Sequence, residues 1–355
     1  MRKIIRSEGD TKTERVDSII GACRQIQPTV DSLYMGYLDI GRPSRDQWVR
    51  IIEAIPDTIQ RLDFRCNDLS PSSSGLTNEH IQDIYIAIGT KHLTHLSLNQ
   101  VGLCAIRESF YHEPSSEEAC DIISARLRAL PQLESLSLEH NHLGQLKPER
   151  LRAVFNALPR SLRTLDLCDN DLEFNIELMK EVLETLPIQT LILSDDFDKI
   201  LRMIPNSKTI DTLDLRRVFV DFRDVEMLNT LPKMPERIQT IYYSDDTIRR
   251  MSNEALDALD GLAPHTTKII VTPTGTHSKS EQANYLEAKA KERLIGAVYA
   301  LSELSQFQTD TGRGPTLPAA LVKQVHGFFS NPNAPVDRVL GQLDEGLKIN
   351  PTNKK

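Results

Sequence analysis

The chain has 355 residues, with 42 lysines and arginines against 50 aspartates and glutamates, and a formal net charge of −8. This acidic balance argues against a general affinity for nucleic-acid phosphates or anionic membrane surfaces, so no nucleic-acid partner is expected. No apolar run approaches the roughly 20 residues of a membrane helix, so no membrane span is expected. The first ten residues are too polar for a secretory signal peptide, and any export is expected to use another route. Five cysteines without a CxxC pair indicate reduced thiols rather than a disulfide framework.

The first predicted element is an amphipathic helix over residues 11–27, which ends before Pro28. Its apolar residues recur at helical spacing, and they are Val16, Ile19, Ile20 and Cys23. An array of repeats needs its first apolar layer covered. We therefore predict that residues 1–28 form an N-terminal cap.

A short apolar pattern recurs nine times after this helix. The copy LESLSLEHNHL fits the spacing LxxLxLxxNxL at every fixed position. Leu136 and Leu138 are two residues apart, as in a strand that buries one face, and the amide of Asn141 can then bond the backbone of neighbouring turns. The copies begin at Val30, Ile59, Leu93, Leu133, Leu162, Ile188, Ile210, Ile238 and Thr267, at intervals of 29, 34, 40, 29, 26, 22, 28 and 29 residues.

Most of these intervals leave room for a helix between successive strands. Residues 44–55 and 148–158 carry apolar side chains on one helical face, and Pro56 and Pro159 end the two helices before the next strand. The interval of 22 residues after Ile188 has room only for a short helical turn or 3₁₀ piece. Each unit is therefore predicted to contain one strand and one helical segment.

This pattern resembles the leucine-rich repeats of the ribonuclease-inhibitor-like class, whose long units alternate a parallel strand with an α-helix. The resemblance covers residues 29–280. It implies an α/β fold, namely a right-handed leucine-rich repeat solenoid, or horseshoe, with parallel strands on the concave face and helices on the convex face. Residues 281–355 have helical patterns that predict a C-terminal cap and tail.

The register of the nine copies predicts which side chains line the concave face. Strands about 4.8 Å apart would form an arc of roughly 40 Å, which suits a protein surface or an extended peptide. Tyrosine and arginine are enriched at the energetic centres of interfaces, although solvated strand faces also carry charges. The predicted partner-binding residues are Tyr34, Arg61, Asp63, Arg65, His95, Asn99, Glu139, Asp166, Ile192, Asp214, Arg216 and Tyr242.

The third unit contains an insertion with the segment RESFYHEP at residues 107–114. Phe110 and Tyr111 in this segment are a second candidate for a partner contact, because insertions in repeat arrays form loops on one face. The alternative is a loop that folds these aromatic rings back onto the solenoid.

Residues that could carry catalysis or bind a metal lack the neighbours that such chemistry needs. Cys168 is predicted to face out of the sheet, but Asp166 and Asp169 would raise the pKa of its thiol. The histidine pairs at 92 and 95 and at 140 and 142 have no further ligand at a known metal spacing. We therefore expect no catalytic residue, no metal site and no cofactor.

The chain also resembles the compact leucine-rich repeat effectors of intracellular bacterial pathogens, in its irregular repeats, its acidic balance and the helical pattern of residues 317–349. This resemblance implies delivery by a specialised secretion system into the host cytosol, with a host protein as the target. A protein that is not exported would be cytoplasmic. We predict a non-enzymatic, monomeric scaffold for protein binding.

The alternative function is that of a GTPase-activating protein, because eukaryotic Ran-type activators are built from the same long repeats. Arg107, Arg216 and Arg217 are then the candidates for stabilising the charge of a transferred phosphate. The two hypotheses differ in whether these arginines accelerate GTP hydrolysis.

Overall fold

A computed structural model describes residues 2–9, 11–38, 43–67, 69, 77–102, 124, 127–128, 130–194, 196–204, 209–218, 225–273 and 278–295. The chain divides into two compact units, Met1–Leu286 and Glu287–Lys355. All of the described strands belong to the first unit. The predicted boundaries at residues 28 and 280 stay predictions.

The first unit contains a parallel sheet of ten strands that follow one another in sequence order. The strands are β1 Arg2–Ile4, β2 Ser32–Tyr34, β3 Arg61–Asp63, β4 His95–Ser97, β5 Ser135–Ser137, β6 Thr164–Asp166, β7 Thr190–Ile192, β8 Thr212–Asp214, β9 Thr240–Ser244 and β10 Lys268–Thr272. Strands β2 to β10 correspond to the nine predicted copies, and Leu33 pairs with Leu62 as Ile241 pairs with Ile269. The predicted strands, and the predicted register of β2 to β9, are therefore confirmed. The last copy begins one residue earlier than the predicted Thr267, because Ile269 and Val271 are its buried side chains. Strand β1 was not predicted.

The central side chain of each strand from β2 to β10 lies in the core. These residues are Leu33, Leu62, Leu96, Leu136, Leu165, Leu191, Leu213, Ile241 and Ile269, and each is at most 6% exposed. Burial of one such side chain contributes about 1.5–3 kcal/mol. The side chains before and after them lie on the opposite face of the sheet, because side chains alternate along a strand.

Helical segments separate most of the strands. They are α1 Lys12–Arg24, α2 Arg45–Glu53, α3 Asn78–Gly89, a 3₁₀ turn Leu143–Gln145, α4 Pro148–Asn156, a 3₁₀ turn Leu172–Asn175, α5 Ile176–Thr185, α6 Phe197–Met203, α7 Val225–Thr230, α8 Asp245–Ile248 and α9 Asn253–Leu262. Thr11 and Glu14 form a capping box at the start of α1, and the predicted apolar face of this helix is buried. The short unit after Ile188 contains α6, a seven-residue α-helix. Residues 281–286 are helical, and residues from 296 onward lie outside the described part of the chain.

Buried asparagines join the turns that follow the strands. The Nδ2 group of Asn141 donates to the carbonyl oxygens of Leu98 at 2.8 Å and Leu138 at 2.9 Å, and its Oδ1 atom accepts from the backbone N of Val101 at 3.2 Å. Asn67 makes the same type of bonds one unit apart. The predicted role of the asparagine position is therefore confirmed.

Left-handed backbone conformations accompany this turn. The residues just before the asparagine position in the units of β2 to β6 have φ between 52° and 58°, and they are Tyr37, Cys66, Gln100, His140 and Asp169. In the described part of the chain no non-glycine residue after Asp171 has a positive φ. The tight asparagine turn is thus a property of the first half of the array, where the sequence also places its asparagines.

The Asp245 side chain connects the end of β9 to Ser280. Its Oδ1 atom accepts from the backbone N of Ser280 at 3.1 Å and from its Oγ at 2.6 Å, and its Oδ2 atom accepts from Arg249 Nε at 3.2 Å. Burial raises the pKa of this carboxyl, but the bonds from Ser280 and Arg249 outweigh that effect, so its pKa lies below the usual value.

An Asp245→Asn variant is expected to lower the free energy of unfolding at pH 7 by about 1–3 kcal/mol. A depressed folded-state pKa stabilises the protein above the unfolded-state value of about 3.9, and this stabilisation is lost as the pH falls through the folded-state value. The difference between wild type and variant should therefore shrink below about pH 4. Urea unfolding at pH 7 and at lower pH tests this, with the exposed neighbour Asp246→Asn as the control; a pH-independent difference would contradict it.

Candidate functional site

The candidate site is the sheet face opposite the buried strand centres, termed the open face. Three columns of side chains cross it. The ladder places Arg61 and His95 in the first column. The middle column holds Tyr34, Asp63, Asp166, Ile192, Asp214 and Tyr242. The third column lies two residues after the middle column in each unit, just beyond the end of the strand, and it holds Arg65, Asn99, Glu139 and Arg216.

The twelve predicted partner-binding residues differ in how much of each side chain is exposed to solvent. Asn99 and Asp214 are each only 5% exposed, while the other ten are half-buried or exposed. Asn99 and Asp214 can therefore influence a partner only through the side chains that they hold. Burial lowers the pKa of His95, and the nearby charge of Arg61 adds to this effect, which favours a neutral imidazole.

Tyr34, Asp63 and Arg65 form a cluster at the N-terminal end of the open face. The Arg65 guanidinium carbon lies 5.8 Å from the centre of the Tyr34 ring, within cation–π range. Arg65 Nε donates to both Asp63 oxygens at 2.9 Å, and these bonds raise the pKa of the guanidinium. Gly36 makes this packing possible, because a Cβ there would lie 2.7 Å from Arg65 Cγ. The arginine is thus held in one orientation by its own strand.

Asp214, Arg216 and Tyr242 repeat this arrangement at the C-terminal end of the open face. The Arg216 guanidinium carbon lies 5.6 Å from the centre of the Tyr242 ring. Arg216 Nε donates to the two Asp214 oxygens at 2.9 and 3.1 Å, and these bonds raise the pKa of the guanidinium. The Arg216 side chain remains 47% exposed. The face therefore has an oriented arginine, stacked on tyrosine, near each end.

The centre of the open face is bridged by Arg217, which pairs with Glu139 across the strands between them. Glu139 also accepts from Asn99 Nδ2 at 2.8 Å, and Ser137 Oγ donates to Asp166 at 2.8 Å. Sequence reasoning did not assign Arg217 to this face, because it lies one position beyond the third column. Only the contact across strands reveals its place.

The Cys168 side chain is on the open face by register but is fully buried, so its predicted exposure was wrong. Burial is the main cause that raises the pKa of its thiol, and the Asp166 carboxylate adds to it. The predicted direction of the pKa shift is therefore confirmed. Cys23 is buried as well, which raises its pKa to about 12. Cys23, Cys66 and Cys168 are the described cysteines, and all three are free thiols.

The other motifs of the sequence do not converge in the described part of the chain. No group of three or more histidine, cysteine, aspartate or glutamate side chains there could hold a metal ion. The His140 and His142 rings lie 5.4 Å apart, and His142 Nδ1 is 3.1 Å from Asp171. None of the described helices has the length and apolar character to cross a membrane. Arg107, Phe110 and Tyr111 lie outside the described residues.

The structure is similar to that of the leucine-rich repeat-containing protein LegL7 from Legionella pneumophila. The two are 21% identical, the TM-score is 0.62, and the alignment covers 82% of this chain and 98% of that protein. The yeast Rad7–Elc1 complex is 13% identical over 74% of this chain and 75% of that chain, with a TM-score of 0.35. A chain of the TLR13–ssRNA13 complex is 16% identical to this chain, and the alignment covers 69% of this chain and 43% of that chain, with a TM-score of 0.28. The sequence matches no family model and no curated protein.

The fold is thus that of a leucine-rich repeat solenoid, with one sheet of ten parallel strands and helical segments between them. The predicted α/β class and the predicted leucine-rich repeat fold are confirmed. The likeness to LegL7 concerns the fold alone, because proteins with one fold can differ in the chemistry of their sites.

Proposed function

We propose that the protein is a non-enzymatic scaffold that binds a protein partner through the open face. The observation that carries this proposal is the pair of clusters in which an arginine is stacked on a tyrosine and fixed by an aspartate. Tyrosine and arginine are the side chains that most often dominate binding energy. An arginine that is oriented before binding loses less conformational entropy when a partner arrives.

The spacing of the two clusters supports a protein as the partner. Arg65 follows β3 and Arg216 follows β8, so five strand steps of about 4.8 Å place them roughly 24 Å apart along the sheet. An interface of standard size buries about 800 Å² on each partner and extends over a comparable distance. A single small molecule would not contact both clusters.

We further propose that the partner is a host protein, reached after delivery by a specialised secretion system, and that the scaffold acts as a monomer. The support for this step is the resemblance of the sequence to compact leucine-rich repeat effectors. The fold is compatible with it, because repeat arrays provide extended binding faces without catalytic machinery.

Capture of partners from host-cell lysate by wild type and by open-face variants tests the proposal. Tyr242→Ala and Asp166→Arg are each expected to weaken capture by about tenfold or more, because they remove an aromatic anchor and reverse a charge in the centre of the face. Phe174→Ala and Glu181→Arg are the matched controls, since both residues lie on helical segments and are exposed. Equal capture by wild type and both open-face variants would refute the assignment of this face.

A further inference from the structure

A cavity of about 790 Å³ lies at the N-terminal end of the open face. Three arginines and two tyrosines are prominent in its lining, and they are Arg2, Arg6, Arg65, Tyr34 and Tyr37. In the described part of the chain no carboxylate lines it. This local excess of positive charge contrasts with the formal charge of −8 for the whole chain.

Strand β1 creates the cavity by adding a tenth strand beside β2. Arg2 pairs with Ser32 and Ile4 with Tyr34, so both side chains extend the columns of the open face. The ladder continues where the backbone N of Ile5 donates to the carbonyl oxygen of Tyr34 at 3.0 Å. Arg6 follows at the position of the third column, and it is exposed.

The charges around the cavity are unequally compensated. Arg65 is neutralised by Asp63, with its terminal nitrogen 2.7 Å from the carboxylate. The Arg2 guanidinium carbon lies 5.0 Å from the centre of the Tyr34 ring. Among the described residues neither Arg2 nor Arg6 contacts a carboxylate. Within the described part of the chain, these two guanidinium groups therefore have no carboxylate partner of their own.

A second cavity of about 350 Å³ continues along the same face. Arg2, Arg61 and Arg65 line it together with His95, and Asp63 is its single carboxylate among the described residues. The two cavities together extend from β1 to β5, which is four strand steps or roughly 19 Å. That length corresponds to about six residues of extended peptide.

We propose that this end of the open face binds an extended acidic peptide segment of the protein partner, whose carboxylates pair with Arg2 and Arg6. A guanidinium binds a carboxylate through two parallel N–H groups, and Arg2 and Arg6 have no carboxylate partner among the residues that the structure describes. The identity of the peptide's source rests on the proposed function, whereas the chemistry of recognition is a property of this chain alone.

Direct binding of a fluorescein-labelled hexaglutamate peptide, followed by fluorescence polarisation at pH 7, tests the inference. Wild type is expected to bind it at least about tenfold more tightly than a hexaglutamine peptide. Arg2→Ala and Arg6→Ala should each weaken binding of the hexaglutamate peptide by about tenfold. Both residues are exposed, so circular dichroism should show unchanged folding in both variants.

Lys3→Ala is the matched control. It removes the same charge from the same strand, but Lys3 pairs with Leu33 and lies on the other face of the sheet. Equal binding of the two peptides by wild type, or an equal loss in Lys3→Ala and Arg2→Ala, would overturn the inference. If the acidic peptide does not bind while Tyr242→Ala still loses the partner, this inference fails and the proposed function stands. If the acidic peptide binds through Arg2 and Arg6 while Tyr242→Ala and Asp166→Arg capture the partner as wild type does, the inference stands and the proposed function fails.

Discussion

Replacement of Asn170 by alanine is expected to lower the free energy of unfolding by about 4 kcal/mol. The Nδ2 group of Asn170 donates to the carbonyl oxygens of Leu138 at 2.9 Å and Leu167 at 3.0 Å, and its Oδ1 atom accepts from the backbone N of Asn141 at 3.0 Å. Alanine would leave these buried backbone groups without the amide. Each unsatisfied buried group costs about 1–3 kcal/mol. Urea unfolding followed by circular dichroism measures the effect.

Asn156→Ala is the control for this experiment, because Asn156 is exposed at the end of α4. Its substitution should change the free energy of unfolding by less than about 0.5 kcal/mol. A similar small change in Asn170→Ala would show that the asparagine turn does not hold adjacent units together.

Replacement of Gly144 by alanine is expected to destabilise the protein by about 3 kcal/mol or more. A Cβ at this position would lie 1.8 Å from the carbonyl oxygen of Asp171 and 2.9 Å from that of Asn170. These are backbone atoms of the next unit, so the clash cannot be relieved by a side-chain rotation. Thermal unfolding should show a lower midpoint, with the turn between β5 and α4 affected first.

Gly21→Ala is the matched control for the glycine experiment. A Cβ at Gly21 meets no atom within 4 Å, and the residue lies inside α1. Alanine in a helix interior is favoured over glycine by about 0.5–1 kcal/mol, so this variant should be more stable than wild type. Destabilisation by both substitutions would contradict the explanation from packing.

The sequence was sufficient to predict β2 to β10, because apolar residues two apart define the buried face. An asparagine marks the end of the strand only in the units of β3, β5 and β6. The same spacing fixed the register of the open face. It did not predict β1, because Arg2–Ile4 lies outside the repeat pattern and becomes a strand only by pairing with β2. The basic cavity was missed with it. Residues 2–4 are too few to show the repeated spacing of apolar residues that marks the other strands.

The burial of open-face side chains depends on contacts that local patterns do not encode. Cys168 and Asn99 occupy outward positions and are nevertheless buried. Asn99 donates to Glu139, which pairs with Arg217 of a distant unit, and no local pattern predicts these contacts. The clearance at Gly144 likewise depends on the backbone of the next unit. Whether the predicted residues bind a partner stays a prediction, and the variants described above test it.

The aspartates that fix Arg65 and Arg216 have a consequence for how the open face responds to ionic strength. Each arginine brings its own counter-ion, so contacts at these clusters rest on stacking and shape, and added salt should weaken them little. Arg2 and Arg6 have no such internal counter-ion among the described residues, and attraction at that end is screened over a Debye length of about 8–10 Å. One continuous surface thus combines a salt-tolerant region with a salt-sensitive one.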